Sequence, residues 1–146
     1  PPGILELAHS SRFLGNHESA VEFYKSYLCT HPTSEEALAG NSESLAMLKR
    51  WEESFGAASA IVRIFPGSHA GYGALEKAYR TAGRYEEAAG LLKQGLYIKE
   101  NDPGMLFDLG ICSVELGERE QAFECYKKLV GIDTEFSRKL FEVLYP

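Results

Sequence analysis

Gly83-Arg84-Tyr85-Glu86-Glu87-Ala88 and Gly117-Glu118-Arg119-Glu120-Gln121-Ala122 are two versions of one turn and helix start, spaced by about 34 residues. Working outward, the same spacing runs through the chain of 146 residues. Ala20, Ser54, Ala88 and Ala122 form a column of small residues, and Gly15, Gly83 and Gly117 form another that only Lys49 breaks. Ile4, Leu38, Tyr72 and Leu106 are large and apolar, followed by Leu7, Leu75 and Leu109. Tyr24, Leu92 and Tyr126 share a column, as do Leu28, Val62, Leu96 and Val130, while Pro32 and Pro66 end the first two units. Units at residues 1–34, 35–68, 69–102 and 103–136 therefore fill a single repeat domain, 1–146, with a closing helix expected at 135–145.

Each unit reads as two helices. Leu106, Leu109, Cys112 and Ser113 fall at helical spacing before Leu116-Gly117 stops the run, and Ala122, Tyr126, Leu129 and Val130 make the stripe of a second helix. Glycine in the turn supplies the positive φ that a tight helix connection commonly needs. The small-residue column marks a close helix approach. Thr33-Ser34-Glu35-Glu36 has the form of a capping box, and Asp102-Pro103 sets a cap before a first-turn proline. No run alternates with a period of two, so the expected architecture is all-α. Phe136, Leu140, Val143 and Leu144 give the last helix an apolar stripe. That helix either covers the fourth pair or begins a fifth unit.

With these segments in view, the chain resembles the tetratricopeptide repeat family. The resemblance rests on the Leu109-Gly110 pair, the Gly83-Arg84-Tyr85 turn, the alanine column, the aromatic column and the unit-ending prolines. It implies a right-handed superhelical solenoid of about four antiparallel helix pairs plus a C-terminal helix. The first helix of each pair would line a concave groove that holds a protein partner. The second unit departs most: Asn41 replaces the core leucine, Lys49 the turn glycine and Ala58 the aromatic. Either Trp51 or Met47 fills the space beside Ala58, or Asn41 with Gly40 and Ser42 opens a polar, compact spot beneath a ligand.

Composition narrows the function. Fifteen basic against twenty-one acidic residues give a net charge of −6, which argues against nucleic acid as a partner. No apolar run approaches the ~20 residues of a membrane span, and the start carries no signal-peptide pattern. Because the first residue is Pro1, the sequence reads as a processed chain or an excised piece. Cys29, Cys112 and Cys125 are odd in number and scattered, which suits a reducing, cytoplasmic setting.

Motifs for chemistry are missing. There is no metalloprotease helix or phosphate loop. Gly71-Tyr72-Gly73-Ala74-Leu75-Glu76 lacks the third glycine of a dinucleotide site, and Gly67-Ser68-His69-Ala70-Gly71 puts histidine where a nucleophile belongs. His9, His17, His31 and His69 have no ligand spacing, so no metal, cofactor or enzymatic activity is expected. Glu124 and Lys128 read as an exposed helix pair.

Binding is expected in the groove instead. The resemblance places Leu5, Ala39, Gly73 and Phe107 in one groove column and His9, Glu43, Lys77 and Ile111 in the next. Arg12, Ala46, Arg80 and Val114 lie toward the helix ends, near Met47, and Glu6, Gly40, Ala74 and Asp108 form a further column. Ala39, Gly40, Gly73 and Ala74 would make a shallow-walled trough for a partner's peptide or helix. A clamp for acidic chaperone tails does not fit. Its positions are Leu5, His9, Gly40, Ala70 and Ala74, or one unit on Ala39, Glu43, Ala74, Gly104 and Asp108. The expected role is a scaffold or adaptor, with a client-shielding chaperone or a regulatory, substrate-presenting domain of a larger enzyme as alternatives.

Overall fold

In the computed structural model, which describes residues 3–146, the caps and turns fall where the repeat places them. The helices are α1 (Ile4–Phe13), α2 (His17–Thr30), α3 (Glu35–Met47), α4 (Trp51–Ile64), α5 (His69–Thr81), α6 (Tyr85–Ile98), α7 (Pro103–Glu115), α8 (Arg119–Val130) and α9 (Thr134–Leu144). No strand occurs among the described residues. This is an all-α helical repeat, and its helices group into two compact units, Pro1–Ala82 and Gly83–Pro146.

Turn geometry repeats with the sequence. Gly15, Gly83 and Gly117 take φ of 84°, 79° and 76°, and Lys49 adopts the same left-handed conformation at φ 61°. Asp102 accepts a hydrogen bond from the Met105 amide at 2.9 Å, with Pro103 in the first turn. At α3 the cap is Ser34, whose Oγ accepts from the Ala37 amide at 3.2 Å. The box expected to close through Glu36 does not form: with Ser34 as the cap the third helical position is Ala37, and the Glu36 carboxylate lies 2.8 Å from His9 Nε2 instead.

In the N-terminal unit, Ala8, Ala20, Tyr24 and Ala37 are fully buried together, and Leu5, Phe23, Tyr27 and Leu28 pack against them. Ser54, in the small column, is also fully buried and exchanges hydrogen bonds with Ser42. Gly71 lets α5 approach α4: a Cβ there would stand 2.8 Å from Ile61 Cγ2 and 3.2 Å from the Val62 amide nitrogen. Ala58 is fully buried, and Met47 is 60% exposed.

In the C-terminal unit, Ala88 and Ala122 are fully buried, as are Leu129, Leu140 and Cys112. Helix α9 packs on both α7 and α8, with Leu140 over Gly110, where a Cβ would lie 2.6 Å from the leucine methyl. Phe141 and Tyr145 stay half exposed and extend a ring contact from Tyr126 at 5.6 and 5.0 Å. Glu124 pairs with Lys127 at 2.8 Å rather than with Lys128. None of the three cysteines is in a disulfide among the described residues, and burial pushes the Cys125 thiol above its ordinary value.

Candidate functional site

Helices α1, α3 and α5 are the first helices of successive pairs, and α3 packs against both of the others. Its two flanks differ. On the α1 side the surface is closed by Tyr24, which rises from α2 and is fully buried. Arg12 Nε donates to the Tyr24 hydroxyl at 3.1 Å, and that hydroxyl lies 2.6 Å from His9 Nδ1. With the imidazole proton on Nε2, the phenol donates to Nδ1 and Nε2 donates to Glu36 at 2.8 Å. Burial raises the Tyr24 pKa above its ordinary value. The hydrogen bond to Tyr24 is the main reason the Arg12 pKa is raised. Gly40 sits directly against the tyrosine ring, and any Cβ there would collide with it.

On the α5 side the surface opens. A cavity of about 140 Å³ lies between α3 and α5, lined by Ala39, Ser42, Glu43, Ala46, Met47, Ala74, Lys77, Ala78 and Thr81. Four of these are alanines, whose single methyls leave the room. Glu43 is the acidic group of the wall. Arg12 Nη1 donates to its Oε2 at 2.8 Å, while Lys77 Nζ lies 3.4 Å from Oε1 and is 60% exposed.

Of the residues assigned to a groove, Ala39, Glu43, Ala46, Met47, Ala74 and Lys77 therefore meet around one cavity. The others are placed elsewhere. Leu5 packs into the α1–α2 core, and His9 and Arg12 hold Tyr24. Gly40 serves the tyrosine contact and Gly73 faces open space. Arg80 bonds Glu76 at 2.8 Å along its own helix. Phe107, Asp108 and Ile111 lie half-buried on α7 in the other unit, where Phe107 stacks on Phe136 at 4.9 Å. Ala78 and Thr81 line the cavity without having been singled out, and their signal is their spacing from Ala74 and Lys77 on one face of α5. Asn41 is buried with its Oδ1 unbonded but is not in the cavity wall; Ser42 beside it is.

Helix pairs in a fixed register, joined by left-handed turns and small-residue contacts, define a helical-repeat protein. Tetratricopeptide repeat family models match residues 72–104 and 103–136. Residues 72–136 are thus tetratricopeptide repeats, and such repeats support a protein–protein interaction module in general. No curated protein matches it in sequence. Solved structures share its fold. A thermophilic tetratricopeptide repeat protein of Thermus thermophilus is 24% identical over 97% of this chain and 79% of its own, with a TM-score of 0.74. A MamA fragment from Desulfovibrio magneticus is 15% identical over 96% and 81%, at 0.81. A tetratricopeptide repeat protein from Parabacteroides merdae is 13% identical over 98% and 70%, at 0.75. Among the described residues no helix is long and apolar enough to cross a membrane.

Proposed function

We propose that this chain is a scaffold or adaptor that takes a segment of a partner protein on the first helices of its N-terminal unit. The observation that carries this is the alanine-walled cavity between α3 and α5, open beside an exposed Met47. Methionine adapts its shape to an incoming side chain and is favoured at such contacts. The contact is largely apolar, and Glu43 with Lys77 sets its register. An apolar recess with a few convergent polar groups is the usual form of a binding site.

Ala74→Arg tests it. The new side chain fills the recess from a half-buried position outside the core, where substitutions away from core contacts change stability by only ~0.5 kcal/mol. Peptides selected from a displayed random library against the wild-type chain should lose affinity for this variant in a binding titration. They should keep it for Glu124→Arg, in the other unit. Peptides that bind Ala74→Arg normally would show that the partner site lies elsewhere.

A further inference from the structure

The apolar lining of the recess continues across α3 to α1. Phe13 stands one repeat before Met47 and Thr81 one repeat after it, and the three are the last residues of α1, α3 and α5. Phe13 is 89% exposed, Leu14 beside it 75% and Met47 60%. Large apolar side chains gathered on a surface mark a place where another molecule binds. A second row runs parallel to this one, a helical turn earlier: His9, Glu43 and Lys77. It is polar, and its charges do not balance. The Glu43 carboxylate is shared by two cations, Arg12 at 2.8 Å and Lys77 at 3.4 Å. Glu36, the anion that faces His9, lies at the opposite end of α3 from Met47. Beside the apolar row one positive charge is left over, at the 60% exposed Lys77.

We infer that the partner segment is an amphipathic α-helix lying across α1, α3 and α5, with its apolar stripe on Phe13, Met47 and the recess and an acidic row toward Lys77. This deepens the groove reading and rests on it. Two parallel rows call for a helix. A strand sends alternate side chains to opposite faces and offers a surface one row, whereas a helix offers an apolar row and a charged row side by side. The spacing fits as well. Packed helices stand ~8–10 Å apart. At ~1.5 Å per residue a crossing helix covers α1 to α3 in about seven residues, and reaches the recess half a step beyond in about ten or eleven. Residues i, i+7 and i+11 lie on one helix face, so one stripe meets Phe13, Met47 and the recess together. The acidic row follows from Lys77. A carboxylate there gives the surplus ammonium an anion of its own, while a basic row would set like charges against Lys77 and Arg12.

Peptides of about 16 residues, long enough for four helical turns, provide the test when selected from a displayed random library against the full chain. Their sequences should align with apolar residues at i, i+7 and i+11 and with aspartate or glutamate in the adjoining row. Circular dichroism should show helix forming as they bind, and a proline in the middle of each peptide should abolish binding. Phe13→Asp should cost them roughly tenfold or more in affinity while leaving the denaturation midpoint of the chain in place. Met47→Asp, on the same row, should do likewise, so the result does not hang on one variant. Selection against Lys77→Glu should turn toward lysine and arginine. Apolar residues at every second or third position, or binding without a gain in helix, overturn the helix. Unchanged affinity for Phe13→Asp overturns the reach to α1. Basic peptides from the wild-type selection, or an unchanged selection against Lys77→Glu, overturn the acidic row. Each of these failures leaves the groove reading standing if the same peptides still lose affinity for Ala74→Arg. Peptides indifferent to Ala74→Arg sink the groove reading itself.

Discussion

The first and second repeats share one register and solve the same contact in opposite ways. In the first, Tyr24 fills the junction between α1 and α3 and ties Arg12, His9 and Glu36 into a chain of hydrogen bonds. In the second, the junction between α3 and α5 is open, walled by Ala39, Ala46, Ala74 and Ala78. The polar groups change with the aromatic one: Arg12 gives way to Ala46 and His9 to Glu43. A repeat fold tolerates this because each unit contacts only its neighbours. One junction is filled by a buried ring while the next keeps a recess.

The largest break in the comparison should come from emptying the filled junction. Tyr24→Ala removes a fully buried ring and strands the Arg12 and His9 partners. Loss of a large aromatic from a core costs about 3–5 kcal/mol, read as a fall in the denaturation midpoint. Tyr24→Phe separates ring from hydroxyl. The phenol pKa is raised in the folded state, chiefly by burial, so the protonated phenol is favoured by folding. Its contribution is complete below the ordinary value near 10 and is lost as pH climbs through the folded-state pKa. Wild-type stability should therefore decline above pH ~10 more steeply than that of Tyr24→Phe.

A smaller effect, of opposite sign, should come from Asn41. Leu7, Leu75 and Leu109 hold its column in the other repeats, and Asn41 is buried with an unbonded side-chain oxygen. Leaving a buried acceptor unsatisfied costs about 1–3 kcal/mol. Asn41→Leu should stabilise the chain by roughly 1–2 kcal/mol, measured by urea denaturation, without loss of peptide binding, since Asn41 is absent from the cavity wall. A loss of binding together with a gain in stability would mean that the asparagine is kept for a ligand.

The repeat period, the helix pairs and the turn residues are legible in the sequence because each leaves a mark in its own column: a small residue, a glycine or a proline. The site is legible only in part. A column tells which face of a first helix a residue occupies, but not which ring rises from the second helix beneath it. Gly40 and Gly73 look alike as trough residues. The structure separates them, since Tyr24 stands against one and nothing stands near the other. His9 and Arg12 look free for a partner until the same tyrosine claims them. The mark that would have located the cavity is the joint change of His9, Arg12 and Gly40 to Glu43, Ala46 and Ala74. Reading one column at a time hides it.

The smallest expected effect lies in the turns of the two repeats. Gly15 N–H donates to the Arg12 carbonyl at 3.1 Å and Asn16 N–H to that of Ser11 at 2.8 Å. Lys49 and Arg50 repeat the pair, to Ala46 and Leu45, both at 2.9 Å. The hydrogen bonds match, so the turns differ in what the left-handed residue costs. A side chain at positive φ is penalised by about 1–2 kcal/mol, while glycine gives back about 0.4–1 kcal/mol through its freer unfolded chain. Lys49→Gly should therefore stabilise the protein by roughly 0.5–1 kcal/mol. Lys49 is exposed and belongs to neither the Tyr24 network nor the cavity, so the affinity of library-selected peptides should not move. Gly15→Lys is the reciprocal test and should destabilise by a similar amount. If Lys49→Gly instead lowers the denaturation midpoint, the lysine side chain contributes more to this turn than its backbone strain removes.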